Sequence, residues 1–232
     1  MGMTFAVLEK RLGVQFHNMA LLEEAMTHRS YLNENPAWPR QHNERLEFLG
    51  DAVLELVVTE YLFGRYTKPE GELTSFRAAL VNAESLAETS RELGINDFLL
   101  LSHGETKDTG RGRQEILGNA FEALIGALYL DAGYDHAKQF IERTLLPKLD
   151  RIISQGSHRD PKSTFQEQSQ ARAGVTPAYK VLREWGPDHE KKFLVAVFLN
   201  EEKIAQGEGF SKQEAEVQAA QKALEAKEWN NE

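Results

Sequence analysis

The segment from residue 42 to residue 58 places acidic side chains inside a strongly apolar stretch. Glu44, Glu47 and Asp51 follow one another at intervals of three and four residues, so a helix would present all three on one face. Like charges at this spacing repel one another, mildly on an exposed helix and severely on a buried one. The pattern therefore predicts a helix whose acidic face is neutralised by a divalent cation.

The composition limits the kinds of site that this chain can build. At 232 residues, 41% of them hydrophobic, the chain is long enough for one large or two ordinary domains. It contains no cysteine, which excludes disulfides and thiolate metal sites and leaves metals bound through oxygen. The sequence has neither a long apolar run nor the pattern of a signal peptide. We therefore expect a cytoplasmic protein that does not associate with membranes.

The charge balance alone argues against nucleic acid as a partner. The formal net charge is -9 and the isoelectric point is near 5.4, and neither half of the chain has an excess of basic residues. Any RNA binding must therefore come from a few well-placed groups, with metal ions offsetting the acidic N-terminal part.

Two regions with different periodicity follow each other along the chain. Residues 4–153 repeat apolar positions at helical spacing, including one helix over residues 136–153, which predicts an all-α domain. Within it, the Gly-rich basic segment 104–112 is expected to be a flexible solvated loop, because it lacks the spacing of a nucleotide-binding loop. The apolar pattern stops at residues 154–160, where we place a linker.

The C-terminal region, residues 161–230, has the order helix, three alternating apolar and polar segments, and helix. Ser211 and Glu214 form a capping box at the start of the last helix. Small apolar residues follow at helical spacing and suit packing against a sheet. The region is therefore predicted to be a small α+β module of the order α-β-β-β-α.

A second acidic element lies in another apolar helical stretch. Asn119 and Glu122 are three residues apart and share a helical face. If the two helices pack together, these side chains could join Glu47 and Asp51 as the oxygen ligands that Mg²⁺ prefers. A bound Mg²⁺ can activate water and stabilise the charge of a phosphodiester under attack. Alternatively, the acids are solvated surface residues or pair with arginines such as Arg45 or Arg77.

Three motifs resemble the endonuclease domain of bacterial ribonuclease III. They are Leu22-x-x-Ala25-Met26-Thr27-His28-Arg29-Ser30, His42-Asn43-Glu44-Arg45-Leu46-Glu47-Phe48-Leu49-Gly50-Asp51 and Glu122-Ala123-Leu124-Ile125-Gly126. The resemblance implies an all-helical domain that forms homodimers, with two catalytic centres in a shared valley. It also implies Mg²⁺-dependent hydrolysis of double-stranded RNA that leaves 5'-phosphate and 3'-hydroxyl ends.

The resemblance assigns roles by position in this sequence. Glu47, Asp51 and Glu122 match metal-binding carboxylates, and Asp51 with Glu122 is the pair most closely tied to catalysis. Glu44 and Glu70 match further acids that line the RNA-binding valley. Phe48 matches an aromatic residue at the dimer interface.

Asn119 departs from the pattern, because the family commonly has aspartate at this position. An asparagine carbonyl oxygen can still ligate Mg²⁺, but it supplies no negative charge and cannot take a proton. We expect weaker metal affinity rather than loss of activity, so Asn119 stays in the predicted metal site. Mn²⁺ is expected to substitute for Mg²⁺, and no small-molecule cofactor is expected.

The C-terminal region resembles a double-stranded RNA-binding domain. The similarity lies in Asp160-Pro161-Lys162-Ser163-x-Phe165-Gln166-Glu167, Gly186-Pro187-x-His189 and Gly207-x-Gly209-x-Ser211-Lys212-x-x-Ala215-Glu216. Such domains grip A-form RNA through 2'-hydroxyls and phosphates. By resemblance, one polar face of the first helix would contact a minor groove, through Ser163, Gln166, Glu167 and Gln170. His189, in a loop, would reach the next minor groove. Lys212, at a helix N-terminus, would contact a phosphate. Gln213 stands where the family often has a second basic residue.

Three functions are compatible with these patterns. The first is a homodimeric, Mg²⁺-dependent endoribonuclease acting on double-stranded RNA, as in the processing of ribosomal precursor and messenger RNAs. The second is an RNA-binding regulator that does not cut, because Asn119 weakens the metal site. The third is an acidic helical protein-interaction scaffold, which would not bind an RNA duplex.

Overall fold

The computed structural model describes residues 5–154, 156, 160–187 and 190–229. Clustering of contacts divides the chain into two compact units, Met1–His158 and Arg159–Glu232. Part of the predicted linker, at 155 and 157–159, lies outside the described residues, as does His189.

The first unit is built from helices joined by short connections. The helices are α1 (Phe5–Leu12), α2 (Met19–Ala25), α3 (Arg29–Glu34), α4 (Glu44–Arg65), α5 (Glu70–Leu80), α6 (Ala83–Glu92), α7 (His103–Lys107), α8 (Arg111–Ala132), α9 (Tyr134–Thr144) and α10 (Lys148–Ser154), with a 3-10 turn at Ile95–Asp97. The predicted all-α class is confirmed. Among the described residues, no helix has the length and apolar character needed to cross a bilayer.

Helices α4 and α8 cross at the centre of the first unit, where their backbones meet directly. A Cβ atom at Gly50 of α4 would overlap the carbonyl oxygen of Glu122 on α8, and one at Gly126 of α8 would overlap that of Leu46. Buried aliphatic and aromatic residues of both helices surround this crossing and form the core; they include Leu54, Val57, Val58, Phe121, Leu124 and Ile125. Two glycines at matching positions thus allow a closer approach than side chains would permit.

The prediction of one helix over residues 136–153 is wrong. Helix α9 ends at Thr144, and α10 begins only at Lys148. Pro147 has no backbone N–H to donate, and its ring disfavours the helical conformation of the preceding residue. The apolar spacing continues through the break, because Leu145, Leu146 and Leu149 are all buried.

The prediction of a loop at residues 104–112 is only partly correct. Helix α7 (His103–Lys107) occupies its first part, because the Ser102 side chain accepts a hydrogen bond from the backbone N–H of Glu105 and caps the helix. The Asp108 side chain then accepts from the backbone N–H of Gly110 at 2.8 Å, just before α8 begins at Arg111. Local side-chain capping therefore orders most of this segment.

The second unit has the predicted α-β-β-β-α order. Helix α11 (Pro161–Ala173) precedes an antiparallel sheet of order β1-β2-β3, formed by β1 (Ala178–Trp185), β2 (Lys192–Leu199) and β3 (Glu202–Gly209), and helix α12 (Lys212–Ala226) follows. Buried residues of both helices pack against buried residues of β2; they are Phe165 of α11, Ala219, Ala220, Ala223 and Leu224 of α12, and Val197 and Leu199 of β2. The predicted α+β class of this region is confirmed.

Candidate active site and RNA-binding surface

Three predicted acids come from two helices that cross at Gly50. Glu47 and Asp51 lie one turn apart on α4 on either side of this glycine, and Glu122 lies on α8 where its carbonyl oxygen faces Gly50. Glu47 and Glu122 are half-buried, whereas Asp51 is exposed. The backbone contact at the crossing thus brings carboxylates that are distant in sequence into one neighbourhood.

The three carboxylates interact electrostatically across the two helices. Burial, followed by the charges of Asp51 and Glu47, raises the pKa of Glu122 to about 7. Burial, followed by the charges of Glu44 and Asp51, also raises the pKa of Glu47. Each half-buried acid therefore lies in the field of at least two others, and a cation would relieve this repulsion.

The donor chemistry of the cluster suits a hard divalent cation. Carboxylate oxygens from α4 and α8, with the amide oxygen of the exposed Asn119 one turn before Glu122, are the ligand types that Mg²⁺ prefers, and Mg²⁺ keeps several water ligands of its own. Within the described ranges, no group of three or more His, Cys, Asp or Glu side chains is gathered closely enough to hold a metal.

Arg77, one of the two arginines that sequence reasoning offered as alternative partners, is used elsewhere. The guanidinium of Arg77 on α5 lies 3.4 Å from Glu55 and donates to the Thr59 hydroxyl at 2.9 Å, both on α4. Glu55 lies beyond Asp51 toward the C-terminal end of α4. The ion pair therefore ties α5 to α4 and leaves the acids around Gly50 without this counter-ion.

The other residues predicted for the nuclease domain lie at exposed positions. Glu44, the first residue of α4, pairs with Arg29 at 3.3 Å and approaches His42 at 3.7 Å. Glu70 is the first residue of α5. The Phe48 side chain is 82% exposed on α4, although large aromatic residues are usually at least partly buried. Its position suits a contact with another molecule.

The polar residues predicted to contact RNA share one exposed face of α11. Ser163, Gln166, Glu167 and Gln170 are all exposed on this helix. The Asp160 side chain caps the helix by accepting from the backbone N–H of Ser163 at 2.9 Å, and it also accepts from the Ser163 hydroxyl at 2.7 Å. The helix is therefore fixed at its N-terminus, while its polar face remains available to a ligand.

Lys212 is the first residue of α12, as predicted. The predicted cap at Ser211 is confirmed, because the Ser211 hydroxyl accepts from the backbone N–H of Glu214 at 3.1 Å. The return bond of a capping box is shifted by one residue, because the Glu214 carboxylate accepts from the backbone N–H of Phe210 at 2.9 Å rather than from that of Ser211. The Lys212 ammonium lies 5.8 Å from the centre of the Phe193 ring.

Sequence reasoning missed two further cations next to Lys212. The Lys191 ammonium lies 6.0 Å from the Phe193 ring centre, so two lysines share this ring, and the Lys192 ammonium lies 5.2 Å from the ring centre of Phe210. The adjacent pair Lys191-Lys192, directly before an alternating strand, was the available signal. Lys191 and Lys212 therefore lie beside one aromatic ring, and Lys192 lies beside Phe210, the residue just before the cap of α12. Lys191 also lies 3.7 Å from Glu184.

Two family profiles match the two units of the chain. The profile of the Ribonuclease-III-like family matches residues 18–149, and that of the double-stranded RNA binding motif matches residues 161–227. The chain is 46% identical to ribonuclease 3 of Bdellovibrio bacteriovorus, over 95% of this chain and 94% of that protein. It is 44% identical to ribonuclease 3 of Enterococcus faecalis, over 94% of this chain and 95% of that protein.

The fold of the first unit is also similar to solved structures. A nuclease domain of ribonuclease III from Campylobacter jejuni matches with a TM-score of 0.55 and 42% identity, covering 62% of this chain and 97% of that chain. A second structure of that domain matches with a TM-score of 0.53 and 40% identity, covering 62% and 95%. An all-α nuclease unit followed by a double-stranded RNA-binding motif defines the class of protein. The chain belongs to the ribonuclease III family of endoribonucleases.

Proposed function

We propose that this protein hydrolyses double-stranded RNA internally in a Mg²⁺-dependent reaction, leaving 5'-phosphate and 3'-hydroxyl ends. The observation that carries the proposal is the placement of Glu47 and Asp51 on α4 and Glu122 on α8 at the point where the two backbones meet at Gly50. The double-stranded RNA-binding motif at residues 161–227 supplies the substrate class. We further propose that the protein acts in the cytoplasm on ribosomal precursor RNAs and structured messenger RNAs.

In this proposal, Glu47, Asp51, Asn119 and Glu122 would hold Mg²⁺, and Asp51 with Glu122 would be the pair most closely tied to catalysis. When bound, Mg²⁺ supplies a water of lowered pKa and stabilises the negative charge that develops on the phosphate oxygens. Burial of Glu47 and Glu122 in the apolar frame of the crossing strengthens their electrostatic interactions compared with those of solvated acids. The attacking group is water, so no covalent intermediate forms on the protein.

The exposed apolar residues of α4 support a homodimer. Phe48 and Phe63 are 82% and 80% exposed, and Leu56 between them is 57% exposed. The Campylobacter jejuni nuclease domain has a structurally flexible region involved in dimer formation. We propose that two copies of this chain associate through Phe48 and its apolar neighbours, which would place two sets of acids in one valley.

RNA would be gripped through the second unit. The exposed face of α11 supplies the hydroxyl, amide and carboxylate groups of Ser163, Gln166, Glu167 and Gln170 for 2'-hydroxyls in a minor groove. Lys212, at the start of a capped helix, supplies charge and free backbone amides to a phosphate. His189 is proposed to reach a second minor groove, and Glu44 and Glu70 are proposed to line the valley beside the RNA.

The proposal is tested by incubating the purified full-length chain with a long RNA duplex and Mg²⁺. We expect short products with 5'-phosphate ends, and their loss in Asp51→Asn and Glu122→Gln, while both variants still bind the duplex. Binding that protects the duplex without producing fragments would contradict the proposal and favour a regulator that does not cut. Failure to bind the duplex at all would favour a protein-interaction scaffold.

A further inference from the structure

Asn43 occupies the residue just before the acid-bearing helix, but its side chain does not cap that helix. It is a buried polar residue, 2% exposed, and its side chain makes no hydrogen bond to the first turn of α4. Instead, its amide Nδ2 donates to the carbonyl oxygen of Ala25 at 3.2 Å. Its backbone N–H donates to the carbonyl oxygen of Thr27 at 2.9 Å. Asn43 therefore ties the start of α4 to the last residue of α2 and to Thr27, two residues after α2 ends.

The segment that receives these bonds is itself held on other sides. Thr27 is fully buried, and its hydroxyl donates to the carbonyl oxygen of Glu23 at 2.7 Å and accepts from the Trp38 indole at 3.2 Å. Thr27 also forms an isolated parallel bridge with Leu100, the segment that precedes α7. Residues 25–28 thus form a rigid support with bonds to four parts of the first unit. We call this segment the Thr27 support.

The bonds of Asn43 act on the helix that carries the acids. The carbonyl oxygen of Asn43 accepts from the backbone N–H of Glu47 at 2.9 Å in the first turn of α4. Successive residues turn by about 100° around a helix axis, so a small change of rotation at the first turn redirects every side chain that follows. The crossing at Gly50 fixes how closely α4 approaches α8, whereas two bonds from one residue at its start also restrain its rotation.

We propose that Asn43 is a positioning residue that orients the acidic face of α4, and thereby Glu47 and Asp51, by anchoring the helix to the Thr27 support. The inference rests on the proposed metal site, because it concerns how that site is oriented. The side-chain hydrogen bond of Asn43 goes to the backbone of Ala25 and not to an acid. Groups that orient metal ligands without contacting the ion commonly change metal affinity 10–100-fold when they are removed.

The test compares two asparagines that precede helices in the same unit. Asn43→Ala removes the bond to Ala25. Asn82→Ala removes the cap on α6, in which the Asn82 side chain accepts from the backbone N–H of Ser85 at 2.9 Å, together with bonds from its Nδ2 to the carbonyl oxygens of Ala78 and Ala79 on α5. The control therefore also loses side-chain bonds at a helix start, but on helices that do not carry the acids. Both variants should unfold at a lower temperature. Calorimetric titration of the full-length chain with Mn²⁺ should show binding about 10-fold weaker for Asn43→Ala and unchanged for Asn82→Ala.

Asn43→Leu provides a second variant if Asn43→Ala does not fold. It keeps about the size of the side chain and removes the Nδ2 donor without adding a charge beside the acids, and it should show the same weakening of Mn²⁺ binding. In cleavage assays, excess metal should restore the turnover of either Asn43 variant. Wild-type affinity for Mn²⁺ in a folded Asn43 variant would overturn the inference, as would equal weakening in Asn82→Ala. Lack of cleavage by the wild-type chain would instead refute the proposed function, and the titrations would still decide the role of Asn43.

Discussion

Gly50 of α4 lies directly against the carbonyl oxygen of Glu122 on α8, with no room for a Cβ atom between the helices. The same two residues lie at the centre of the acidic cluster, because Glu47 and Asp51 flank Gly50 on α4. Close backbone packing and the convergence of the carboxylates therefore depend on one contact. Stability and metal binding should respond together to changes at this point.

Gly50→Ala should separate the two central helices. The added methyl group would overlap the Glu122 carbonyl oxygen, and overpacking of this kind costs about 1–3 kcal/mol, or more where backbone must move. Gly64→Ala is the matched control on the same helix, because a Cβ there meets nothing within 4 Å. It should be neutral or slightly stabilising through helix propensity. Gly50→Ala should unfold at a lower temperature and show weaker Mg²⁺-dependent cleavage, whereas Gly64→Ala should show neither change. Normal stability in Gly50→Ala would contradict this account of the crossing.

Asn119→Asp should strengthen the metal site. The change adds a carboxylate one turn before Glu122 and supplies the negative charge that an amide lacks. The Mg²⁺ concentration needed for half-maximal cleavage should fall several-fold. Asn96→Asp, a change of the same charge within the Ile95–Asp97 turn, serves as the control. An unchanged metal requirement in Asn119→Asp would show that position 119 does not ligate the ion.

Metal-free protein should lose stability as the pH rises toward neutrality. Burial, with the charges of Asp51 and Glu47, raises the pKa of Glu122 to about 7, above that of an unfolded glutamate. The folded state therefore retains a proton that the unfolded chain releases, so this contribution to stability is present at acidic pH and is lost as pH rises through about 7.

Chemical unfolding of the metal-free chain at several pH values measures this effect. Between the pKa of an unfolded glutamate and about 7, the free energy of unfolding of wild type should fall by on the order of 1 kcal/mol more than that of Glu122→Gln. The difference is this small because solvent partly screens the Glu122 carboxylate. Added Mg²⁺ should restore wild-type stability at the higher pH. Identical pH profiles for wild type and the variant would refute this assignment.

The lysines beside Phe193 and Phe210, which are Lys191, Lys192 and Lys212, should control the salt dependence of RNA binding. Lys212→Ala, Lys191→Ala and Lys192→Ala should each weaken duplex binding, and each lost phosphate contact should reduce the slope of log affinity against log salt by about 1. Lys222→Ala is the control, because Lys222 is an exposed lysine further along α12 that bonds to Gln218. Equal salt slopes for all four variants in binding titrations would contradict a phosphate-binding role for the cluster.

Phe48→Glu should prevent self-association. The substitution places a charge at an apolar position that is 82% exposed in the single chain and proposed to be covered by a second copy. Sedimentation analysis should show monomers, and cleavage should fall with the loss of the shared valley. Leu182→Glu, at an exposed apolar position of β1 in the other unit, should leave the dimer intact. A dimeric Phe48→Glu would place the interface elsewhere.

Sequence reasoning predicted the parts of the fold that depend on local periodicity. The acid-bearing helix, the order of elements in the second unit and the Ser211 cap follow from apolar spacing and cap chemistry, and they are present in the structure. The break at Pro147 and the helix α7 were missed, because apolar spacing continues across the first and the second depends on one cap at Ser102.

The candidate site was only partly predictable, for a physical reason. Residue spacing places Glu47 with Asp51 and Asn119 with Glu122, but the meeting of the two pairs depends on a crossing made by Gly50 and Gly126, and spacing does not reveal which glycines face each other. The bonds from Asn43 to residues 25–28 are likewise long-range and have no local signature. Motif resemblance supplied the pairing that periodicity could not.

The most direct test of one shared metal site is a double-mutant cycle on metal binding. Mn²⁺ affinity would be measured by calorimetry for wild type, Asp51→Asn, Glu122→Gln and the double variant, all confirmed to be folded. If acids from α4 and α8 hold the same ion, each single change should weaken binding strongly, and the double change should cost clearly less than the two effects added together. Strictly additive losses, or unchanged affinity in either single variant, would contradict a site shared by the two helices.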